Sequence, residues 1–422
     1  MASESKAKSA LPSYRVLDLT EGGCMLGGRM LGDLGADVIK IEPPGGSPSR
    51  IAPYYHNIAD PQKSLFWFAY NANKRGITLD LATVEGRALF KKLAAAADVI
   101  LESFETGYLS ALKLGYSDLC EIKPDIIFAS ITPFGQKGPK LSYKGSDLTA
   151  WASGGYLYTC GNPERAPVWI SFPQAGFFGG AEAAIGAMAA MWYRLNTGLG
   201  QQVDVSLQEC SVAPTLHVLQ MWDVAKVEFH RNGGNMYVAS TGVRQPIYFK
   251  CQDGYAMILV QGGNEPFVTS SKKLVLWMQE EGLAPEWLQK LDWRVDYNAA
   301  TMGQEIADRA EEAIEKFTPT KTKAELLVEG SIKRGIFIAP VNNTKDITED
   351  RQLEARVYWR KVEHPELNAA LTYCGPSVRL SETPIIYRRR APLIGEHNPD
   401  IYSGELGLSQ PELASLREKR II

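Results

Sequence analysis

Apolar residues in the first half of the chain come in short runs. Residues 14–18 (YRVLD) form one such run and predict a buried strand. Residues 37–42, 98–101 and 126–131 predict three more. Between the runs, apolar positions return at helical spacing. The small residues of 24–35 predict one helix. Leu89, Phe90, Leu93 and Ala96 mark one face of another over 83–97, with Glu85 in its first turn. Strands separated by helices of this length imply βαβ units, a parallel sheet covered on both faces, and an α/β fold. After Phe172 a glycine-rich turn leads into a long helix of small and apolar residues. That helix ends at Thr197-Gly198-Leu199-Gly200-Gln201-Gln202.

The pattern changes near residue 225. Residues 226–243 are polar and irregular, as a linker would be. Runs at 245–251 and 255–260 flank Gln252-Asp253-Gly254, a hairpin signal. Gln261-Gly262-Gly263-Asn264 then reads as a turn, and helical spacing follows at 266–281, 303–317 and 321–333. Strands at 357–362 and 371–373 read as a return to the first domain, and 410–419 as a short helix. The expected organisation is a large domain begun by 1–225, a linker at 226–243, a smaller α+β domain at 244–340, and a linker with return at 341–422.

Composition narrows the function classes. A chain of 422 residues is too long for one compact core and suggests two domains. A formal net charge of -3 gives no basic surface for nucleic acid. The six Cys are scattered, with no CxxC and no metal spacing, so reduced cytosolic thiols and no metal site are expected. The start, MASESKAKSALPS, lacks an apolar stretch and does not read as a secretory signal. No run approaches the roughly 20 apolar residues of a membrane helix. A soluble, cytoplasmic protein is the expectation. The first strand-to-helix turn carries Gly22, Gly23, Gly27 and Gly28 but is not GxGxxG, and no phosphate-binding P-loop occurs. Those glycines could admit a ligand to the backbone or pack the helix closely; the sequence leaves both open.

Several motifs fall in a recognisable order over nearly the whole chain. They are Val16-Leu17-Asp18-Leu19-Thr20, then Leu34-Gly35-Ala36-Asp37-Val38-Ile39-Lys40-Ile41-Glu42. Next come Asn73-Lys74-Arg75 with Thr78-Leu79-Asp80-Leu81, and Ala97-Asp98-Val99-Ile100-Leu101-Glu102. Phe134-Gly135-Gln136-Lys137-Gly138-Pro139, the Gly198–Gln201 turn and Ala391-Pro392-Leu393-Ile394-Gly395-Glu396-His397 complete the set. As an ordered set they resemble the class III CoA-transferases (the CaiB/BaiF family). The resemblance implies a Rossmann-like large domain with a parallel sheet, a smaller α+β domain, and two chains threaded as interlocked rings. It also implies CoA thioesters as substrates and no tightly bound cofactor. In that family an Asp attacks the donor thioester and forms a mixed anhydride; CoA thiolate turns this into an aspartyl-CoA thioester, and the acceptor acid repeats the sequence in reverse.

This chain departs from the family where the nucleophile belongs. Counting back from the glycine turn places the family Asp at Gly176, or at Ala175 if the register slips by one. The remaining acids nearby are Asp147, where the family usually has an acid, and Glu182 in the small-residue helix. A glycine with positive φ at 176 would itself resist a side chain. By resemblance, Leu79, Ser103, Phe104, Lys113 and Lys144 fall on CoA-contact positions, and Gly262 and Gly263 on a glycine loop whose N–H groups stabilise oxyanions. Ser103 replaces the more usual Asn, while Pro43 and Ala82 stand where many members carry a base. The resemblance therefore implies a non-catalytic subunit whose partner is a homologous Asp-bearing chain, in an interlocked heterodimer or higher heteromer. The length and altered helix start resemble a branch in which succinyl-CoA gives CoA to (R)-2-benzylsuccinate. Three alternatives remain. One is a self-sufficient transferase with another nucleophile, and another a non-enzymatic scaffold. The third is a 2-methylacyl-CoA racemase, whose acid–base pair would need more than Ser146 and Gly176. Arg388-Arg389-Arg390 could grip an acidic neighbour or form a solvated run.

Overall fold

The computed structural model describes residues 9–238, 241–298 and 300–422. Most of the polar start (residues 1–8) and residues 239 and 240 of the expected linker lie outside that range. The chain divides into two compact units. One gathers the chain up to Tyr158 with Trp169–Glu228 and Ala355–Ile422; the other holds Thr159–Val168 and Phe229–Glu354.

The first unit begins with β1 (Arg15–Leu19), α1 (Met25–Asp33) and β2 (Asp37–Glu42). It continues with α2 (Leu65–Asn71), β3 (Lys74–Thr78), α3 (Val84–Ala95), β4 (Val99–Glu102) and β5 (Ile127–Thr132). Then come α4 (Asp147–Ser153), α5 (Ala175–Thr197), β6 (Gln202–Ser206) and α6 (Leu216–Ala225). The six strands form one parallel sheet in the order β3-β2-β1-β4-β5-β6, as the α/β reading required. Strands buried on both faces read as unbroken apolar runs, and all six residues of β5 are buried. β3 does not read that way, because its first residue, Lys74, is a fully buried ion-pair partner.

Glycine decides how α5 packs. A Cβ on Gly27 of α1 would lie 2.6 Å from the Gly180 carbonyl oxygen, and one on Gly180 would lie 2.9 Å from the Cys24 carbonyl oxygen. Gly27 and Gly180 thus serve helix-on-helix packing, whereas a Cβ on Gly28 would meet the Asp18 carboxylate at 2.1 Å and one on Gly22 nothing within 4 Å. α6 is different: none of its residues is buried.

A charged cluster lies under β1. Asp18, Lys40 and Lys74 are each 0% exposed. The Lys74 ammonium is 2.7 Å from one Asp18 oxygen, and Lys40 is 3.7 Å from the other. Burial alone would push the Asp18 carboxyl up, but the two ammonium groups outweigh it and hold it below its ordinary value.

The second unit contains a hairpin, β7 (Asn235–Tyr237) with β8 (Arg244–Pro246), and β9 (Tyr248–Cys251) with β10 (Gly254–Ile258). It also holds α7 (Glu265–Glu280), α8 (Gln304–Phe317) and β11 (Ile338–Val341), and β11, β10 and β9 form a three-stranded sheet. Phe249, Ile258, Trp277 and Phe317 belong to its core.

The chain then returns to the first unit as an antiparallel pair, β12 (Trp359–His364) and β13 (Ala369–Cys374), and ends in α9 (Gln410–Glu418). This return straps the sheet. The Arg388 guanidinium donates to the carbonyls of Gly32, Gly35 and Ala36 at the end of α1, at 2.7, 3.1 and 3.2 Å. The Gly76 and Thr78 N–H groups on the outer edge of β3 donate to His397 Nδ1 (3.1 Å) and Asn398 Oδ1 (2.9 Å). An edge strand is thereby closed. Ile421 and Ile422 are buried in the core with Leu79 and Leu81. Arg390 pairs with Glu366 and Glu396, so it grips acidic neighbours, while Arg388 and Arg389 are exposed. No helix among the described residues is long and apolar enough to cross a membrane.

Candidate functional site

The strand order reverses between β1 and β4, and in an open parallel sheet the crevice beyond the carboxyl ends at such a point is where ligands bind. The loop after β1 is fixed from both sides. The Glu21 N–H donates to Ser103 Oγ at the end of β4 (2.8 Å), and the Gly22 N–H donates to Ser49 Oγ (2.7 Å). The Glu21 carboxylate accepts from the hydroxyls of Ser47 and Ser49. Below it, Arg50 is held by Glu42 at 2.7 and 2.8 Å and lies over the Trp67 ring, 3.8 Å from its centroid.

α5 starts against this loop. Ala175 is its first residue, fully buried, and Gly176 its second. A Cβ on Gly176 would meet the backbone of Gly23 at 3.1 and 3.3 Å and Asp147 Oδ1 at 3.5 Å. Gly176 is not among the residues of positive φ, so the strained backbone expected from sequence is absent. What disfavours a side chain there is the close approach of Gly23. Asp147, the first residue of α4, accepts from the N–H of Gly176 (2.7 Å) and the N–H of Gln174 (3.0 Å). Both its oxygens cap α5, where a carboxylate complements the helix dipole. A carboxylate so engaged is a poor nucleophile. Glu182 is exposed on α5; it and Glu209 assist burial, the main cause, in pushing the Cys210 thiol up to about 11.

The other sequence-derived positions are scattered. Leu79 is buried in the core after β3, and its N–H donates to the Glu42 carbonyl (2.7 Å). The Phe104 N–H donates to Glu102 (2.8 Å), and its ring lies 4.8 Å from that of Tyr108. Lys113 is exposed with a φ of 59°. Lys144 pairs with Glu105 at 3.4 Å, but the two side chains are 85% and 74% exposed, so the pair adds little. Pro43 and Ala82 are exposed and uncharged. Gly262 and Gly263 lie in the second unit. A Cβ on Gly262 would be 2.0 Å from the Trp293 carbonyl oxygen, and the Gly263 N–H already donates to that oxygen at 2.9 Å. No group of three or more His, Cys, Asp or Glu able to hold a metal ion occurs among the described residues.

Glu21, Ser47, Ser49 and Glu102 also meet at or near this crevice, and nothing in their sequence pattern marks them for it. Glu102, the last residue of β4, is 5% exposed. Burial pushes its carboxyl up to about 7 against hydrogen bonds from Ser130 and the Phe104 N–H. From its ordinary 4.5 to about 7, the folded chain keeps a proton that the unfolded chain has released. Stability therefore falls as pH rises through that window and levels off above it. Glu102→Gln is expected to raise the unfolding free energy at pH 8 by about 2–3 kcal/mol and to remove this slope. Urea unfolding at pH 5 and pH 8 measures it; equal variant and parent stability at both would refute it.

The family model described as CoA-transferase family III matches residues 11–398. The chain is 34% identical over 391 residues to the succinyl-CoA:(R)-benzylsuccinate CoA-transferase subunit BbsE of Thauera aromatica, covering 92% of each chain. It is 31% identical to a formyl-CoA:oxalate CoA-transferase of Streptomyces avermitilis, covering 98% of this chain and 99% of that one. Among solved structures, a CAIB/BAIF family protein from Brucella suis superposes with a TM-score of 0.79 at 27% identity, over 94% of this chain and 99% of the other.

Proposed function

The chain belongs to CoA-transferase family III, and from that premise we propose that it is the non-catalytic subunit of a heteromeric CoA-transferase. Its partner is a homologous chain that carries the carboxylate this one lacks. The observation that carries the reading is the start of α5. Positions 175 and 176 hold Ala and Gly, and the neighbouring acid, Asp147, has both oxygens committed to backbone N–H groups.

The chemistry proceeds on the partner. Its Asp attacks the thioester carbonyl of the donor, forming a mixed anhydride and releasing CoA thiolate. The thiolate attacks the aspartyl carbonyl, giving an aspartyl-CoA thioester and the free donor acid. The acceptor carboxylate attacks that thioester, and the released thiolate then attacks the acceptor carbonyl of the new anhydride. The products are acceptor-CoA and the regenerated Asp. By likeness to the Thauera aromatica subunit, the donor is succinyl-CoA and the acceptor (R)-2-benzylsuccinate. The crevice of this chain is poorly suited to hold CoA. Pro43 and Ala82 stand exposed and offer no cation to its phosphates.

α6 supports the existence of a partner. At 100° per residue, Leu216, Val218, Leu219, Met221, Trp222 and Val224 lie around the whole circumference of the helix, not along one stripe. A helix apolar on every side belongs inside a core, yet this one buries no residue. A partner chain that encloses it, as interlocked rings would, meets that need. Assembly in the cytoplasm is part of the same reading.

The test combines trapping with co-expression. The chain alone is expected to exchange no CoA and to form no adduct with hydroxylamine or borohydride after exposure to succinyl-CoA. A 1:1 complex with the Asp-bearing homologue is expected to transfer CoA and to be labelled on the partner only. Mass spectrometry that finds an adduct on Asp147 or Glu182 would overturn the proposal.

A further inference from the structure

A ladder of aromatic rings begins at the residue after Gly176. Phe177 stacks on Tyr70, with centroids 4.9 Å apart and planes at 29°. Tyr70 in turn lies 4.8 Å from Phe66. Phe66 and Tyr70 are four residues apart on α2 and therefore share one face. One side of this pair packs on the core formed by Met25, Trp67 and Phe68. Yet all three rings remain partly exposed. The Tyr70 hydroxyl makes no hydrogen bond among the described residues and remains a donor, with the Cys374 thiol and the Arg29 guanidinium as the polar groups within electrostatic reach of it. Burial pushes that phenol up, so it keeps its proton near neutrality.

Core aromatics bury their faces and find a partner for every buried polar tip. Here three rings stay partly open and one tip is unpaired, directly beside the point where the family places its nucleophile. A flat aromatic group could extend the ladder by one more ring, and a carboxylate on the same molecule could accept from Tyr70. We infer that Phe66, Tyr70 and Phe177 form a subsite for the ring of an aryl-substituted carboxylic acid, which this chain binds and does not convert. The inference rests on the proposal that the chain has no nucleophile of its own. It assigns the crevice a ligand-sensing part in a complex whose turnover occurs elsewhere.

The experiment is equilibrium titration of the co-expressed complex with 2-benzylsuccinate, and separately with succinate, without any CoA thioester present. Two benzylsuccinate sites per pair of chains are expected. Tyr70→Ala and Phe177→Ala are each expected to weaken one of them about tenfold, the scale of a lost aromatic contact. Tyr70→Phe keeps the ring but removes the donor to the ligand carboxylate, so it is expected to weaken the same site by about three- to fivefold, between the parent and Tyr70→Ala. One site per pair, untouched by either alanine variant, would overturn the inference. So would equal losses for succinate and benzylsuccinate, or a Tyr70→Phe variant as weak as Tyr70→Ala. Transfer assays on the separate chains report on the nucleophile independently, so failure of that reading cannot be mistaken for failure of this one.

Discussion

Replacing Lys74 with Met is expected to lower the unfolding free energy by about 3–5 kcal/mol, because it strands a buried charge. Asp18 and Lys74 are both fully buried and 2.7 Å apart. Lys74 also donates to the Met25 carbonyl and to Asn71 Oδ1, each at 2.9 Å. Met fills the volume but supplies none of these donors. Lys40 remains 3.7 Å from the other Asp18 oxygen and is directed at the Thr20 carbonyl, so it cannot take over the lost contact. The carboxylate lies against Gly28, whose lack of a Cβ makes room for it, since one built there would lie 2.1 Å from the Asp18 oxygen. The loss reaches the crevice, because Asp18 Oδ1 accepts from the Thr20 N–H and hydroxyl at 2.9 and 2.6 Å, just before Glu21. Urea unfolding at pH 7 measures the effect. The double variant Asp18→Asn with Lys74→Met should recover a good part of it. A single-variant loss below about 1 kcal/mol would mean that Lys40 alone holds Asp18.

Gly176→Asp is expected to leave CoA transfer absent and to destabilise the chain. The added Cβ meets the Gly23 backbone at 3.1 and 3.3 Å, where no side chain can swing aside. Overpacking of that kind costs about 1–3 kcal/mol. The new carboxylate also enters beside Asp147, whose Oδ1 is 3.5 Å from the Cβ position. Two carboxylates so close cannot both ionise freely, and one is pushed up. Gly176→Ala separates the two causes, since it adds the crowding without the charge. The assay is CoA transfer by the variant paired with a homologue whose own Asp has been removed, together with Tm for both variants. Transfer near that of the native complex would show that one carboxylate was all this chain lacked.

β1, β2, β4 and β5 could be read from sequence because burial on both faces makes their centres mostly apolar, Lys40 of β2 being an exception. β3 could not, since Lys74-Arg75-Gly76 reads as surface while Lys74 is an interior ion and Gly76 is covered by Pro392. α2 also escaped, because LFWFAYN is an apolar block without helical period. The glycines of α1 and α5 were visible, but which helix each one met was not, because spacing within one helix carries no information about another. Asp147 is the clearest case at the site. Its residue type and position were legible, but its caps to Gln174 and Gly176 span 27 and 29 residues and follow only from the packing of α4 on α5. The ring ladder joins residues 70 and 177 for the same reason.

The strap from Arg388 to Ile422 sets the order in which the molecule can be made. The edge of β3, the end of α1 and the core around Leu79 are completed by residues more than 300 positions later in the chain. A ribosome that has just finished β6 has produced every strand of the sheet, but not the groups that close it. At roughly 5–20 residues per second, the remaining stretch takes on the order of ten to forty seconds to emerge. Throughout that interval the nascent sheet has an open edge and an uncapped helix while the second unit is being synthesised. Closing so long a loop also makes the last docking step slow relative to local folding. The first unit is thus begun first and finished last, and chaperone demand should peak before residue 388 has cleared the exit tunnel.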